Sequence, residues 1–478
     1  MERSATMREV LAMNGFATVL AVVAVAAWAC AAQARDIHID HEKGDDGANG
    51  LTQGAPLKTI AQAITLAQPG DTIHLAPTKT PYKQSAVFHN KSGEPGKPIV
   101  LDGHGATLSG SEPLDEKAWQ QVAPGLYRND KLIPRSDAIV GRFYFIFDGQ
   151  MNHMGRTSKG PKRPWLKPEE LKPGEWTYVK DDHAFYVKIE PGKKLGDCRI
   201  ESPARSNGVS FSGECNHFVI RNVIATHVWN DGYNIHGKTR DILFENITAI
   251  DCGDDGLSAH DDCEVRVEGF VSIGNSTGIC NVGHSTSVNN CVLIKGCLGY
   301  DFFVLDTNTH TLTNSVIFAN ASRSVDVRGR ADGGVCTLKM DNVAIIHTGE
   351  HRREIAVGKN GILEARRLTV YGLCLLQQGA ATLTESVIGG NPAPEFVLSS
   401  EAKWQADKNV YDLKSLRLDK AVYAPKDFDA YRQATRQDAA SQWTKIEFAQ
   451  PLTGRVKTPG LPKGIGADLA LLPLEGQM

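Results

Sequence analysis

Short runs of alternating apolar and polar residues recur through the middle of the chain, and each run begins at a glycine. Aligned on that glycine, four runs follow one another at steps of 24, 24 and 22 residues: NGVSFSG at 207–213, DGYNIHG at 231–237, DGLSAHD at 255–261 and TGICNVG at 277–283. Alternation with a period of two predicts β-strands, and a repeat of about 23 residues predicts strand-and-turn units stacked on one another. The middle of the chain is therefore predicted to be a solenoid of parallel strands.

A second apolar run follows in each unit, and most of these runs carry an asparagine at the same place. The aligned residues are Asn222, Asn246, Asn290, Asn314 and Asn342, with Gly269 in the remaining unit. Asparagine tolerates the left-handed backbone conformation and can bond to a stacked copy of itself, so one turn is predicted at this point of every coil. The pattern resembles the asparagine ladder of the pectin-lyase-like family of secreted carbohydrate-active proteins. The resemblance implies an all-β fold, a right-handed, single-stranded parallel β-helix.

The flanks of the repeat predict the domain organisation. An amphipathic helix with Ile60, Ile64 and Ala67 on one face is expected to cap the first coil. Three alternating strands with Pro- and Gly-rich loops then interrupt the repeat and resemble the small β-rich insertion of several β-helix glycosidases. The predicted parts are a signal peptide (1–34), an N-terminal cap with the first coils (35–112), the β-rich insertion (113–203), the coils that carry the candidate site (204–398) and a closing segment (399–478).

The first residues have the pattern of an export signal. Residues 16–29 are apolar and uncharged but too few to span a bilayer, and an Ala-x-Ala cleavage motif ends at Ala34. We therefore expect cleavage after Ala34 and a secreted or periplasmic protein. Trp28 argues against a lipoprotein site at Cys30. No later segment is long and apolar enough to be predicted as a membrane span.

Composition narrows the classes of function. The chain has 478 residues, of which 46 are glycine, and 52 basic residues against 55 acidic ones give a net charge of −3. The near-neutral charge disfavours a nucleic-acid partner. The family resemblance implies a polysaccharide or oligosaccharide substrate, and a monomer is expected. Of the 10 cysteines, nine lie beyond the signal without CxxC spacing. Buried thiols are therefore favoured over disulfides or a zinc site.

Polar residues concentrate in two neighbouring coils. In each coil the alternation directs two side chains away from the core, Asn234 and His236 in the first and Ser258 and His260 in the second. Because the coils are 24 residues apart, His236 and His260 are predicted to stack about 4.8 Å apart. Two adjacent exposed imidazoles are expected to titrate near neutrality, which suits acid–base chemistry.

Carboxylates flank this histidine pair. Asp231 begins one coil and Asp254 and Asp255 begin the next, so Asp231 is predicted to lie beside Asp255. Like charges in contact move pKa values apart, which lets one carboxyl act as an acid and another as a base. Asp261 and Asp262 end the second strand and offer oxygen ligands for Ca²⁺, the one cofactor considered. Turn formation at Asp-Gly pairs is the alternative role for any single one of these residues.

Two enzyme families share parts of this motif. The segments NDG at 230–232 and CGDD at 252–255 resemble the N-T-D…G-D-D pattern of polygalacturonases. That resemblance implies inverting hydrolysis, with Asp254 as general acid and Asp231 and Asp255 activating water, and it requires carboxyl groups about 6.5–9.5 Å apart. The family's G-H-G and R-I-K residues are not matched in this chain, so substrate recognition is expected to differ.

The second resemblance is to mannuronan epimerases and related lyases. The segment DGLSAH at 255–260 keeps the glycine, the apolar residue and the histidine of their Y-G-F-D-P-H strand, but it lacks the tyrosine and the aspartate. Elimination also needs a cation beside the substrate carboxylate, and few lysines or arginines are expected nearby. A lyase or epimerase is therefore the alternative to hydrolysis, using His260 and His236 with bound Ca²⁺.

Trp229 and Arg328 complete the set of candidate residues. Trp229 directly precedes the first motif and is expected either to stack on a sugar ring or to lie at the edge of the core. Arg328 lies at an outward position of a later coil and is a distant substitute for the missing R-I-K residues. The favoured function is a secreted polysaccharide-active enzyme that hydrolyses glycosidic bonds and requires no cofactor. A non-catalytic glycan-binding or surface β-helix protein is a further alternative.

Overall fold

The protein is described by a computed structural model that covers residues 34–132, 137–459 and 462–474. The predicted signal peptide, apart from its last residue, lies outside the described residues. Strands of successive coils pair in parallel, with Tyr233 opposite Leu257 and Leu257 opposite Ile279. The predicted all-β parallel β-helix is therefore confirmed.

Strands account for most of the regular structure. In chain order they are β1 (Asp36–Ile39), β2 (Thr72–Leu75), β3 (Ala86–His89), β4 (Ile99–Asp102), β5 (Thr107–Ser109), β6 (Ser111–Pro113), β7 (Gln120–Ala123), β8 (Leu126–Asn129), β9 (Phe145–Phe147), β10 (Gln150–Asn152), β11 (Trp176–Val179), β12 (Ala184–Lys188), β13 (Ile200–Pro203), β14 (Val209–Ser212), β15 (Glu214–Arg221), β16 (Ile224–Thr226), β17 (Tyr233–Ile235), β18 (Lys238–Ile250), β19 (Asp255–Ala259), β20 (Asp262–Ile273), β21 (Thr277–Asn281), β22 (Thr286–Lys295), β23 (Tyr300–Asp306), β24 (Asn308–Phe318), β25 (Arg323–Gly329), β26 (Cys336–Ile346), β27 (Arg353–Val357), β28 (Gly361–Tyr371), β29 (Leu373–Gln377), β30 (Ala380–Thr384), β31 (Val387–Gly389), β32 (Glu395–Leu398), β33 (Trp404–Asp407), β34 (Val410–Tyr411), β35 (Ser415–Leu418), β36 (Ala421–Tyr423), β37 (Gln442–Trp443), β38 (Phe448–Gln450) and β39 (Arg455–Val456).

Two large sheets enclose one continuous core. The sheet that we call the site sheet has 12 strands in the order β3-β14-β17-β19-β21-β23-β25-β27-β29-β32-β35-β36. The sheet that we call the long sheet has 17 strands and contains the alternate strands of the same coils, from β1 and β2 through β18, β20 and β22 to β37. Parallel pairing continues past residue 398, because β34 still pairs with β37.

The glycines that align the coils are required by close packing. A Cβ atom on Gly232 would lie 2.8 Å from the Cβ of Ala249 and 2.8 Å from the carbonyl oxygen of Gly256. Both distances are shorter than any normal contact, so a side chain would push the coils apart. The periodic glycine thus sets both the strand register and the coil spacing.

The corner of each coil is a left-handed residue, as the recurring asparagine predicts. Asn222, Asn246, Asn314 and Asn342 all have φ between 47° and 59°. In one coil the prediction is wrong by a single residue, because Cys291 occupies the corner with φ of 56°. The predicted corner residue Asn290 instead pairs in register with Thr313. Its side chain still joins the ladder, because its Oδ1 accepts a 2.9 Å hydrogen bond from Asn314 Nδ2.

The helices are few and short among the described residues. The α-helices are α1 (Ile60–Leu66), α2 (Asp137–Arg142) and α3 (Phe428–Thr435), and the 3₁₀ helices are Glu116–Ala118, Pro168–Glu170, Leu195–Asp197, Pro425–Asp427, Pro451–Thr453 and Leu469–Leu471. Thr59 caps α1 by accepting a hydrogen bond from Gln62 N, and the predicted apolar face of α1 is buried. That face adds to the main core beside the first strands. None of the described helices is long and apolar enough to cross a membrane.

The insertion folds around its own aromatic core. Strands β6, β9, β10 and β13 form one antiparallel sheet, and β7, β8, β11 and β12 form another. Phe143, Phe145, Trp176 and Phe185 pack between them, and Trp229 of the β-helix packs against this cluster. Trp229 therefore lies where the insertion meets the coil that begins at Asp231. The nine cysteines among the described residues are all free thiols.

Candidate active site

Strands β17 and β19 bring the two predicted histidines together on the outer face of the site sheet. Because Ile235 pairs with Ala259, the residues that follow them are neighbours as well. The rings of His236 and His260 are stacked with centroids 4.6 Å apart and planes 18° from parallel. The spacing of the repeat therefore predicts this contact correctly.

The two histidines differ in their electrostatics. His236 is half-exposed, and its Nδ1 lies 3.2 Å from Asp261 Oδ2. Burial, and next the charge of His236, lower the pKa of His260 to about 4. The expectation that both imidazoles titrate near neutrality is therefore wrong for His260, which stays uncharged above about pH 4 because the protein covers it.

The three predicted aspartates form one buried cluster. Asp231, Asp254 and Asp255 each place a carboxylate oxygen within 4.8 Å of the others. Their exposed fractions are 3%, 2% and 1%. In addition, the backbone N–H of Asp255 donates a 3.0 Å hydrogen bond to Asp231 Oδ1. The stacking of Asp231 on Asp255 follows from the 24-residue step, but their deep burial does not.

Two predicted substrate ligands hold Asp231 in place. Ser258 Oγ and Asn234 Nδ2 each donate a 2.6 Å hydrogen bond to Asp231 Oδ2. Both residues point away from the β-helix core, as the alternation predicts, yet both are buried. The described arrangement therefore makes Asn234 and Ser258 positioning residues for a carboxylate.

The insertion covers the cluster with cations that the repeat could not reveal. Lys159 Nζ lies 2.5 Å from Asp254 Oδ1 and donates to both oxygens of Asp255, at 2.7 and 2.9 Å. Arg142 Nε, at the end of α2, lies 3.0 Å from Asp254 Oδ2, and Ser158 Oγ also donates to Asp254. The expectation of few basic residues near the site is therefore wrong. Arg142, Ser158 and Lys159 precede Asp254 by more than 90 residues in the sequence and lie outside the periodic segment.

Charge balance separates the pKa values of the three carboxyl groups. Burial opposes ionisation of Asp254, but the charges of Lys159 and Arg142 outweigh it and lower the pKa of Asp254. Burial and the neighbouring charge of Asp254 raise the pKa of Asp231, and they raise that of Asp255 well above its usual range. Three carboxylates facing two cations are neutral together when one proton is retained. Asp255 and Asp231 are the groups that retain it.

The spacing of the carboxylates bears on the type of hydrolysis. Each of the three carboxyl groups has an oxygen atom within 4.8 Å of the others, whereas an inverting glycosidase holds water between carboxyl groups about 6.5–9.5 Å apart. The separation in retaining enzymes is about 5–5.5 Å. The close approach of these oxygen atoms favours the shorter separation over the inverting arrangement that the polygalacturonase resemblance implies. Lys159 Nζ, bonded to two of the carboxylates, draws them together.

Cys280 is a further member of the site that the sequence analysis did not select. A ligand atom from each of Asp255, His260 and Cys280 lies within 4.8 Å of the others. The outward position of Cys280, directly after Ile279, could have indicated it. Burial raises the pKa of its thiol well above the usual range, so it is protonated. A metal ion among these three groups would have to compete with Lys159 for Asp255.

The residues considered for Ca²⁺ face different partners. Asp261 contacts His236 and accepts from the backbone N–H of Gly237 at 3.0 Å. Asp262 is paired with Arg240 at 2.7 Å. The side chain of Asp261 is 60% exposed and that of Asp262 is 50% exposed. The two side chains therefore do not converge on a common point through these contacts.

Arg328 lies further along the same sheet. Arg328 lies on β25, where it pairs with Leu305 of β23. Its Nε donates a 2.8 Å hydrogen bond to Asp326 Oδ1. A cavity of about 400 Å³ lies beside it, lined in part by Arg323 and Arg330. Strand β25 is three coils beyond β19, which places Arg328 about 14 Å from the histidine pair along the β-helix. The other outlying candidate, Trp229, is partly buried against the insertion.

Comparisons with known proteins give distant likenesses. One family model, described as a protein of unknown function (DUF1565), matches residues 42–108. No curated protein sequence matches this chain. Among solved structures, the complex of XylC with xylose aligns at 11% identity with a TM-score of 0.48, over 87% of this chain and 88% of that chain.

Two further structures have similarly low scores. One described as a glycoside hydrolase aligns at 11% identity with a TM-score of 0.48, over 92% of this chain and all of that chain (100%). Pectate lyase Pel9A aligns at 13% identity with a TM-score of 0.37, over 92% of this chain and 97% of that chain. Scores at this level carry no argument about the activity of this chain.

Proposed function

We propose that this protein is a carbohydrate-active enzyme that hydrolyses glycosidic bonds at the cluster of Asp231, Asp254 and Asp255. The observation that carries the proposal is the contact of three buried carboxyl groups with two cations, Lys159 and Arg142, which lower the pKa of Asp254 while burial raises that of Asp255. Glycoside hydrolysis requires one protonated and one ionised carboxyl on either side of the bond.

The pKa order assigns the two roles. Asp255 holds the proton and donates it to the glycosidic oxygen as that bond to the anomeric carbon breaks. Asp254 is ionised and attacks the anomeric carbon, and water then releases the sugar from Asp254 while Asp255 takes the proton of the water. This order reverses the roles that the polygalacturonase resemblance implies for Asp254 and Asp255. Burial and the charge of Asp254 keep the proton on Asp255, and Asp231, held by Ser258 and Asn234, raises the pKa of Asp255 further.

Substrate reaches the cluster from the exposed side of the histidine pair. His260 has a ligand atom within 4.8 Å of one from Asp255 and stacks on the half-exposed His236. Arg328 and the cavity beside it bind a sugar unit about 14 Å away, which favours an anionic polysaccharide.

The products of a glycan screen test this proposal. Purified protein is incubated with a panel of neutral and uronate-containing polysaccharides, and new reducing ends are measured. Hydrolysis with retention is expected, and proton NMR of the first product formed reports its anomeric configuration. A product of inverted configuration would contradict the nucleophilic role of Asp254.

Elimination is the second candidate, and Lys159 and Arg142 are the observation that favours it. A lyase needs a cation against the uronate carboxylate and a base for the adjacent proton, and both groups lie at the cluster. Elimination leaves an unsaturated uronate that absorbs ultraviolet light, whereas hydrolysis does not. Reducing ends that form together with this absorbance would assign the protein to the lyases and exclude the hydrolase mechanism.

A further inference from the structure

Arg328 lies in the same column of outward side chains as His260, on the outer face of the site sheet. Successive strands pair in register at the buried residues that precede this column, which are Ala259, Asn281, Val304 and Val327. His260 follows the first of these residues and Arg328 follows the last. Arg328 is therefore three strands from the histidine pair, about 14 Å along the β-helix.

The guanidinium of Arg328 is held in a fixed position. Its Nε donates a 2.8 Å hydrogen bond to Asp326 Oδ1, and its Nη2 donates a 3.2 Å hydrogen bond to the hydroxyl of Tyr300. The guanidinium carbon also lies 5.1 Å from the ring centroid of Phe303, and this ring stacks on Tyr300 at 4.7 Å. These contacts use two of the five N–H donors of the guanidinium. The other three lie on the terminal nitrogens, which can bind both oxygens of a carboxylate.

The cavity beside Arg328 is basic. Its volume is about 400 Å³, and the basic residues that line it are Arg323, Arg328, Arg330 and Lys359. Among the described residues in its lining, Asp326 is the one acidic group, and it is fully buried beneath Arg323 and Arg328. Arg330 is paired with the exposed Asp332 at 3.2 Å. Four cations and two carboxylates leave a positive excess, which favours an anionic ligand.

The acidic cluster, in contrast, is poorly suited to a charged sugar. Lys159 Nζ contacts Asp254 Oδ1 and both carboxylate oxygens of Asp255. An ammonium group has three N–H donors, so these three contacts leave none for the carboxylate of a sugar. A further negative charge would also be repelled by the ionised Asp254. An uncharged sugar unit therefore fits the cluster better than a uronate does.

We propose that the substrate is a mixed polysaccharide, in which the cluster cleaves the bond of an uncharged sugar while Arg328 binds the carboxylate of a uronic acid unit about 14 Å away. This inference rests on the function proposed for the cluster. Arg328 does not contact the reacting atoms, so it selects the polymer that binds and does not set the rate of bond cleavage. A polymer with a uronate at every unit would place a charge at the cluster and binds more weakly.

Affinity electrophoresis tests the substrate class without requiring turnover. Asp254→Asn, which is expected to bind polymer without cleaving it, is run through gels that contain one polysaccharide each. The mixed polymers are hyaluronan, glucuronoxylan and gum arabic, and the comparisons are polygalacturonate, a sulfated galactan and neutral pullulan. A mixed polymer is expected to retard the protein most. Stronger retardation by any of the comparison polymers, or no retardation by any polymer, would overturn the proposal.

Variants of Arg328 locate the binding. In the same Asp254→Asn background, Arg328→Gln is expected to weaken binding of the mixed polymer about 10–100-fold. Arg328→Lys keeps the charge but loses the planar fork, so it is expected to recover only part of this affinity. Arg417→Gln is the matched control, because Arg417 is exposed on the same sheet, four strands further on at β35. Equal affinity of Arg328→Gln and Arg417→Gln would overturn the assignment of Arg328.

Kinetics separates this inference from the hydrolase proposal. With Asp254 intact, Arg328→Gln is expected to raise KM for the mixed polymer by the same factor and to leave kcat unchanged. A fall in kcat at unchanged KM would overturn the binding role of Arg328. Binding that depends on Arg328, without cleavage by the wild type, would uphold the uronate site and contradict the hydrolase. Cleavage with binding that does not depend on Arg328 would do the reverse.

Discussion

The ammonium of Lys159 lies 2.5 Å from Asp254 and 2.7 Å from Asp255, although Lys159 precedes them by 95 and 96 residues. The contact joins the insertion to the coil that carries the aspartates. It also decides which carboxyl is ionised, because the charge of Lys159 offsets the cost of burying Asp254. One contact thus links the architecture to the proposed chemistry.

Replacing Lys159 is expected to destabilise the protein strongly. Lys159→Met removes the cation from a buried cluster of carboxylates, and breaking such a pair costs about 3–5 kcal/mol in the free energy of unfolding. Urea denaturation measures this loss. Lys162→Met, on the same loop but exposed, is the control and should change stability by less than about 0.5 kcal/mol. Equal stability of the two variants would show that the cluster does not depend on Lys159.

Asp301 is expected to make the protein less stable as pH rises. Burial raises the pKa of Asp301 to about 8, above its unfolded value of 3.8, so the folded state binds more protons than the unfolded state between these values. Its contribution is complete below about pH 4 and is lost as pH rises toward 8. Asp301→Asn should therefore gain stability over the wild type by up to about 1.4 kcal/mol per pH unit in this window. Denaturation curves at pH 4, 6 and 8 measure the difference, and a pH-independent difference would contradict the buried neutral carboxyl.

His310 is expected to make the protein less stable as pH falls. Burial lowers the pKa of His310 to about 4 from its usual 6.5, so the unfolded state binds more protons between these values. Stability from the neutral ring is complete above about pH 6.5 and is lost as pH falls to about 4. His310→Gln should show a weaker acid loss than the wild type in the same denaturation series. A loss of the same size in both proteins would mean that His310 is accessible to protons in the folded state.

The corner residue Cys291 offers a test of the ladder. Cys291 has a left-handed backbone with φ of 56°, which is unfavourable for a cysteine. The preceding Asn290 pairs within the sheet, and its side chain accepts a hydrogen bond from Asn314. Cys291→Gly should therefore stabilise the protein by about 1 kcal/mol, and Asn290→Gly should destabilise it by a similar amount. Thermal unfolding distinguishes them. A corner at Asn290, as the sequence pattern predicts, would give the reverse order.

The sequence predicts those parts of the fold and site that depend on the repeat. The glycine period gives the strand register, and the register alone brings His236 onto His260 and Asp231 beside Asp255. It cannot give the position of Arg142 or Lys159, since these come from a non-periodic insertion whose docking depends on tertiary packing. The lowered pKa of His260 could not be predicted either. The alternation of apolar and polar residues predicts on which side of the strand a side chain lies, but not whether another part of the chain buries it. The one-residue error at Cys291 arises where an asparagine stands directly before the true corner.

The central claim is that the acidic cluster cleaves glycosidic bonds, and turnover by Asp254→Asn tests it most directly. Wild type, Asp254→Asn and the exposed control Asp429→Asn are compared on the polysaccharide panel by release of reducing ends, after circular dichroism has established that each is folded. We expect the wild type and Asp429→Asn to cleave the same polymer at equal rates, and Asp254→Asn to lose at least about 100-fold. Wild-type turnover by folded Asp254→Asn, or no cleavage of any polymer by the wild type, would contradict the assignment.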